Sequence, residues 1–436
     1  MTVTDRDHSV VERPTSVSES ASLLRDTTGA LLFRGAGTKQ AWGGTPQADL
    51  IVETTALTRL LAHNPADMTV AVEAGMALRD LQAALGAEGQ WLAFDPPSEA
   101  AGATIGGLLA TGDSGPRRLR YGGLRDLVIG VTLVLADGTV AHAGGKVIKN
   151  VAGYDLTKML YGSLGTLGFV AEVVLRLHPL PATSATATLT CTVQEATDIA
   201  LGLLSSPLEP SAVDWAQSHA AAGGSESGSE SGSVQGGNSR AGSRNAGGGE
   251  SPPGRLAVRF EGTAAGVAAQ REAASTLLGA GGSIGATSAL RWHSGDDEQS
   301  LWDELATTHR PGREDTTVAS AATLPTRTPE VASALAAAAR AAGVTAGLAS
   351  RPALGLHTAS LTGPADAVAA AFTSWRSAVL DAGNGASVLL RERPAAVDAT
   401  VDALGPAPSS VALLRSVKHR LDPDGRCAPG RLGPWC

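Results

Sequence analysis

The stretch FDPPSEAAGATIGGLLATGDSG, from Phe94 to Gly115, limits the possible folds most. It holds five glycines, an adjacent pair of prolines and few groups suited to acid–base work. So bare a main chain admits a ligand or another segment very closely. A second such stretch, Arg34-Gly35-Ala36-Gly37-Thr38, lies within GALLFRGAGTK, and both follow predicted strands. Successive backbone N–H groups form nests for phosphate oxygens, and a wall of small residues suits a flat ring system. A dinucleotide needs both surfaces. Glycines at this density also make tight turns, and for either stretch alone that explanation suffices. The chain contains no GxGxxG between strand and helix and no GxxxxGK[ST], so neither a Rossmann site nor a P-loop is supported.

At 436 residues the chain is long enough for two or three domains. A net charge of −8 argues against a general nucleic-acid binder, which needs clustered Lys and Arg. No apolar run is long enough to span a membrane, and MTVTDRDHSVVERP lacks an apolar signal core, so a cytoplasmic location is expected. The three cysteines, Cys191, Cys427 and Cys436, cannot form a self-contained four-thiolate zinc or iron–sulfur site. Residues 220–254 are Gly/Ser-rich and nearly free of large apolar groups, which predicts a disordered insertion within a domain. It follows a predicted helix and precedes the strand-like RLAVRFEG.

Before residue 182 the pattern reads β–α–β–α–β. GALLFRGAGTK is a strand entering a glycine turn. ADLIVETTALTRLLAHN reads as a strand and then a helix capped by Thr54 or Thr55. MTVAVEAGM alternates as a strand, ALRDLQAALGAEG places Leu78, Leu81 and Leu85 at helical spacing, and QWLAFD is a further strand. DLVIGVTLVLADGTVAHAGG is a hairpin turning at Asp137-Gly138. DLTKMLYGS is a short helix, and GTLGFVAEVVLRLHPLP leads into a long strand. From 183 to 405, EATDIALGLLSS, TAAGVAAQREAASTLLGAGG, SLWDELATTHR and TPEVASALAAAARAAGV read as helices. GRLAVRFEG, TTVASAATLP and LGLHTASLTG read as strands, which suits an α+β unit.

Together RGAGTK (34–39), VEAGM (72–76), DPPSEAAGATIGGLLATGDSG (95–115), the run at 122–140, GGKVIKNVAGYDLTKMLYGSLGTLGFVAEVVLRLHP (144–179) and LDPDGRCAPGRL (421–432) resemble the vanillyl-alcohol oxidase, or PCMH-type, FAD-linked oxidase superfamily. Within it the chain is most similar to the FAD-binding subunits of bacterial glycolate oxidases, and GGKVIKNVAGYDLTKMLYGSLGTLG is the most specific piece. The resemblance implies an α+β fold. A PCMH-type FAD-binding domain of two α/β subdomains would span 16–182. An α+β cap with an antiparallel sheet would span 183–405, and a tail, 406–436, would return to the FAD domain. It also implies FAD. Arg34, Gly35, Ala36, Gly37, Thr38 and Lys39 resemble the first pyrophosphate loop. Pro97, Gly102, Ala103, Thr104, Gly106, Gly107, Ala110, Thr111 and Gly112 resemble the second FAD loop, beside the isoalloxazine. Gly153, Tyr154 and Asp155 resemble a segment over the flavin, although Tyr154 and Asp155 also read as a packing aromatic and a helix N-cap. Gly168, Phe169 and Val170 resemble the strand start at the adenine end.

Two departures matter. Thr38 stands where many superfamily members attach FAD through a His, which implies non-covalent flavin. Ala428 stands before Pro429-Gly430-Arg431 where relatives have Asn, which puts a catalytic role of the tail in doubt; Arg431 either folds back or lies at the surface. The HxGDGNxH metal motif of 2-hydroxy acid oxidising relatives is absent, and no metal site is expected. His293, His309 and His357 are isolated in sequence. GGSIG (281–285) matches GxSxG without the strand that a nucleophile elbow needs, so Ser283 is no nucleophile candidate. Arg351 suits a carboxylate, or is a surface charge.

Three functions stay open. The chain is the FAD subunit of a glycolate (2-hydroxy acid) oxidase complex, peripheral to the membrane through its partners: a second FAD-binding oxidase subunit and an iron–sulfur subunit. Otherwise it is a self-sufficient FAD-linked oxidase of another hydroxy acid or alcohol, or a non-catalytic flavin-binding scaffold. No catalytic residue is assigned.

Overall fold

The computed structural model describes residues 10–146, 155–217, 253–279, 289–310, 314–381, 383 and 385–436. The expected insertion falls almost wholly outside these residues, as do Gly153, Tyr154 and Ser283. In the first part of the chain, strands β1 (Val10–Glu12), β2 (Leu31–Arg34) and β3 (Leu50–Glu53) form a parallel sheet in the order β1-β3-β2, with helix α1 (Val17–Asp26) between β1 and β2. Strands β4 (Leu60–Asn64) and β5 (Thr69–Glu73) are followed by α2 (Leu78–Gly86), the two-residue β6 (Gln90–Trp91) and α3 (Ile105–Thr111). Two single turns follow, α4 (Arg118–Tyr121) and α5 (Leu124–Leu127). The hairpin β7 (Val128–Val134) and β8 (Val140–Gly144) turns at Gly138, whose φ of +82° suits glycine. Then come the turn α6 (Thr157–Leu160), β9 (Phe169–Arg176) and β10 (His178–Pro179). Strands β4-β5-β9-β7-β8 make a five-stranded antiparallel sheet.

The second part is built on β11 (Thr183–Cys191), α7 (Val193–Leu204), β12 (Ala212–Gln217), β13 (Gly254–Gly262), α8 (Ala264–Leu278), β14 (Arg291–His293), α9 (Gly295–His309) and β15 (Thr316–Ala322). It continues through α10 (Thr328–Ala342), β16 (Thr345–Arg351), β17 (Leu356–Thr362), α11 (Ala365–Asp381), β18 (Ser387–Glu392) and α12 (Ala395–Asp398). Its strands form one antiparallel sheet, β14-β11-β13-β12-β16-β17-β15-β18. Alternation divides the two faces. Val213, Trp215, Leu256, Val258, Phe260, Leu348, Leu361 and Leu390 join one core with residues of α7, α8, α10 and α11. The alternate positions Asp214, Arg259, Arg351 and Thr358 are buried as well, as is the Glu261 side chain, and Ala212, Ala216, Ala257 and Ala349 pack against Leu301, Trp302 and Leu305 of α9, so the other face is partly polar and covered. The last helix, α13 (Val411–Leu421), leads to a tail in which Cys427 bridges Leu31 of β2.

Most predicted elements are present, and three expectations need correction. The helix expected after Thr54 is a turn followed by β4. The main-chain N–H and guanidinium of Arg59 both bond the buried Glu73 carboxylate, at 2.7 and 2.8 Å, which fixes this segment beside β5. The helical spacing of Leu57, Leu60 and Leu61 is accidental: Leu57 is buried, whereas Leu60 and Leu61 are exposed. The insertion does not follow directly on the predicted helix, which is α7: strand β12, paired antiparallel with β13, comes between them. Gly254, assigned to the insertion, opens β13, where a Cβ would lie 2.6 Å from the Trp215 ring.

Gln217 and Gly254 are register partners, so the chain between them joins strands already side by side. Replacing residues 218–253 by Asn-Gly is expected to keep the melting temperature or raise it slightly, because a shorter loop costs less closure entropy. Thermal unfolding followed by circular dichroism checks this; a drop of ten degrees or more contradicts the pairing.

Candidate functional site

Strand β2 ends at Arg34, whose guanidinium bonds Glu53 at 2.8 Å. The chain then enters the loop 35–39. A Cβ on Gly35 would lie 2.2 Å from the Thr104 hydroxyl oxygen, so this loop abuts the start of α3. Gly37 has φ +73°, the left-handed region that suits glycine. Among the described residues no group accepts a hydrogen bond from the N–H of Gly35, Ala36, Gly37, Thr38 or Lys39. At α3 the opposite holds: Ile105 and Gly106 donate to Met76 O and Ala74 O, and Gly107 N–H to the Thr104 cap. Donors for an anion therefore come from the first loop, while α3 supplies a bare wall.

A cleft of about 750 Å³ lies between them. Arg34, Gly35, Ala36, Gly37, Thr38, Lys39, Thr104, Gly106, Gly107, Ala110, Thr111, Gly168 and Val170 all line it. Ser163, Leu164 and Gly165 line it too; Leu164 has φ +53° and donates to Ala110 O at 2.7 Å. Such backbone persists only where its surroundings over-determine it, commonly at ligand sites. Trp42 Nε1 and Thr54 Oγ1 belong to residues lining the cleft and are buried without a hydrogen-bond partner among the described residues. Free main-chain donors, orphaned buried polar atoms and a wall without side chains fit a phosphate-bearing ligand with a flat ring.

The other expected residues lie elsewhere. Ala103 is buried in the core and its carbonyl caps Leu78 N–H. Gly102 ends a short 3-10 turn at φ +76°. Gly112 ends α3 at φ +67° beneath the Tyr161 ring. Pro97 lines a second cleft, described below. Asp155 is exposed, and its carboxylate accepts from the Thr157 hydroxyl rather than capping the helix. Of Arg431 the surface reading is wrong: it is buried, donates to Trp42 O at 2.8 Å and to Gln40 O, and burial pushes its pKa down to about 10. Ala428 holds φ +46° and donates to Leu31 O, so the tail is a structural brace. Trp42, Thr54 and Arg431 were not among the expected site residues. Their signals, an isolated Trp and a Thr after a strand, are too common to read.

Lys39 is buried at the inner end of the first cleft, with Nζ 3.6 Å from Asp113 Oδ2, which accepts from the Ser98 hydroxyl at 2.6 Å. Burial, with Arg310 and Arg391 nearby, holds the Lys39 pKa down to about 8. Arg310 donates to Thr38 O at 3.0 Å, and the Arg391 guanidinium stacks 4.2 Å from the Trp42 ring. Cations from the second part thus reach the first loop.

The polar face of the large sheet meets the first part at a second cleft of about 1240 Å³. Arg117 bonds Glu261 at 2.7 Å across this junction. Asp95, Glu99, Asp214, Arg259, His309 and Arg351 line the same space. His309, isolated in sequence, is buried between Asp214 at 2.9 Å and the Thr358 hydroxyl at 3.0 Å. Arg351 is 6% exposed, which rules out a surface charge. His357 is buried against Ser350 and Thr323, and burial lowers its pKa to about 4. Among the described residues no three His, Cys, Asp or Glu side chains converge as a metal site.

Burial, reinforced by Asp95, raises the Glu99 pKa to about 7. The unfolded chain ionises Glu99 at its ordinary value of 4.5, so between the two values the folded state binds the extra proton and stability falls as pH rises. Glu99→Gln removes this loss. Its melting temperature should match that of the wild type at pH 5 and exceed it by a few degrees at pH 8. Equal values at both pH values contradict the burial argument.

Residues 9–144 match the family model described as FAD binding domain. Over 210 residues the chain is 33% identical to mitochondrial D-lactate dehydrogenase [cytochrome] of Arabidopsis thaliana, covering 47% of this chain and 36% of that protein. Over 166 residues it is 34% identical to glycolate oxidase subunit GlcE of Escherichia coli (strain K12), covering 38% and 47%. These matches span less than half the length of either relative. The solved structure of alkyldihydroxyacetonephosphate synthase superposes on 96% of this chain and 75% of its own, with TM-score 0.65 at 16% identity, which shows a shared fold.

A Cβ on Gly107 would meet only the Thr104 hydroxyl, at 3.1 Å, and the residue lines the first cleft. Gly107→Trp should lose bound flavin, read from the visible absorbance of the purified chain, with the melting temperature little changed. Undiminished flavin content contradicts the assignment of this cleft.

Proposed function

Because the chain carries an FAD-binding domain of the PCMH-type oxidase superfamily, we propose that it holds FAD non-covalently in the first cleft and takes part in oxidising a small 2-hydroxy acid. Glycolate, giving glyoxylate, is the substrate we favour, and the chain acts as one subunit of a complex. The observation that carries this reading is that residues 35–39, whose five N–H groups have no hydrogen-bond acceptor among the described residues, line one cleft with the small residues Gly106, Gly107 and Ala110. Those N–H groups would take the pyrophosphate. Bound FAD supplies a two-electron acceptor for hydride from the substrate's α-carbon. Thr38, in place of an attaching His, leaves no covalent link. Lys39, Arg310 and Arg391 hold the inner end of the cleft at positive potential, which favours negative charge arising there.

Relatives named as subunits of glycolate oxidase and as D-lactate dehydrogenases support the hydroxy-acid class. A second FAD-binding oxidase subunit and an iron–sulfur subunit are the partners this reading calls for. Cys191 and Cys427 are buried, with pKa values raised by burial to about 12, unsuited to ligating a cluster as thiolates. Among the described residues no helix is long and apolar enough to cross a membrane, and the proposed membrane contact is made through partners.

The test is the visible spectrum of the purified chain under anaerobic glycolate. A flavin spectrum that bleaches only when the partner subunits are added is the expected result. Bleaching by the chain alone makes it a self-sufficient oxidase. A chain that retains flavin but is never reduced, with partners present, is a scaffold, and one that cannot be reconstituted with FAD overturns the reading.

A further inference from the structure

Arg351 ends β16 on the polar face of the large sheet, and its guanidinium lines the second cleft. The residue is buried, and among the described residues Nε has no hydrogen-bond partner. Its nearest anion is Asp214, with Oδ2 3.6 Å from Nε, beyond hydrogen-bond reach. Asp214 is already committed, both of its carboxylate oxygens lying within 3.1 Å of His309 Nε2. The two other guanidinium groups of the cleft are matched. Arg117 bonds Glu261 at 2.7 Å and faces Asp95 at 3.6 Å, while Arg259 bonds Glu298 at 2.7 Å. Arg351 thus presents a planar fork of donors in a buried setting where unmet donors are costly.

The cleft around it is specific. Phe94, Trp91 and Trp302 supply apolar walls suited to a short carbon skeleton. Asp95 and Asp303 line the same space and oppose a second negative charge on a ligand. A single carboxylate fits this pattern better than a dicarboxylate or a phosphate. We propose that Arg351 is a binding site for the carboxylate of a small 2-hydroxy monocarboxylic acid, held in bidentate fashion in the second cleft. This deepens the reading of the chain as a hydroxy-acid oxidising subunit and rests on it. Asp214, braced by His309 and through it by Thr358, positions the fork without satisfying it.

The test is titration of the full chain with glycolate, followed by tryptophan fluorescence, since Trp91 and Trp302 line the cleft. The wild type should show a saturable change. Methyl glycolate, which has no carboxylate charge, should give none. Arg351→Met should weaken glycolate binding by at least about tenfold, as loss of a charge-assisted fork implies. Arg255→Met, at an exposed ion pair with Glu304, should bind as the wild type does. If Arg351→Met does not fold, Arg351→Lys keeps the charge without the fork and should still bind several-fold more weakly. No saturable response from the wild type, equal binding of methyl glycolate, or wild-type affinity in a folded Arg351 variant overturns the proposal. Flavin content of each preparation separates the two readings. Flavin retained without a glycolate response removes the Arg351 site alone. A glycolate response that depends on Arg351 in a chain unable to hold flavin supports the site and removes the flavin reading.

Discussion

The contact between Gly35 and Thr104 governs the first cleft. At this point the loop leaving the parallel sheet touches the cap of α3 with no room for a side chain. That contact sets the distance between an edge rich in main-chain donors and a wall almost without side chains. The cap of Thr104 and the acceptors Ala74 and Met76 consume the N–H groups of α3, so the positive edge belongs to the 35–39 loop. The tail completes the arrangement. Arg431 grips Gln40, Trp42 and Gly44 through their carbonyls, and Cys427 lies along β2, so the last residues brace the same loop from behind.

The second part of the chain reaches the first loop through Arg310, which donates to Thr38 O. A sheet with helices on one side ordinarily leaves its other face to water. Here that face is buried, so its charges must be matched. Arg259 with Glu298 ties β13 to α9 within the second part, and Arg117 with Glu261 joins the two parts of the chain. Lys39, Arg310 and Arg391 gather cations beside the first loop, with Asp113 3.6 Å from Lys39 and Glu392 3.2 Å from Arg310 as their counter-charges. Positive charge of this kind suits a site whose ligand is an anion, and burial strengthens it.

Much of the fold was legible in the sequence because most elements carry their own pattern. Leu78, Leu81 and Leu85 are buried on one face of α2, and Asp137-Gly138 turns the β7–β8 hairpin. The segment after Thr54 misled because a short helix-like spacing was overruled by a distant partner, Glu73, which holds Arg59 beside β5 just ahead of β4. The first loop and α3 read as a candidate site because glycine density is local information, and the structure places them on one cleft. Ala103 and Gly112 were not separable from their cleft-lining neighbours, since only the turn of a seven-residue helix decides which side each faces. The burial of Arg351 arises from sheet order between strands remote in sequence, and the pairing of His309 with Asp214 from the end of α9 meeting β12. Nothing in the local sequence of either residue records it.

The central claim is that the main-chain N–H groups of residues 35–39 hold the phosphates of a bound flavin dinucleotide. Amide hydrogen exchange of the purified chain, with and without added FAD, tests it most directly. The account predicts that peptides covering residues 35–39 and 163–170 exchange more slowly when FAD is bound, while the large sheet is unaffected. FAD binding that leaves exchange at 35–39 unchanged would contradict it.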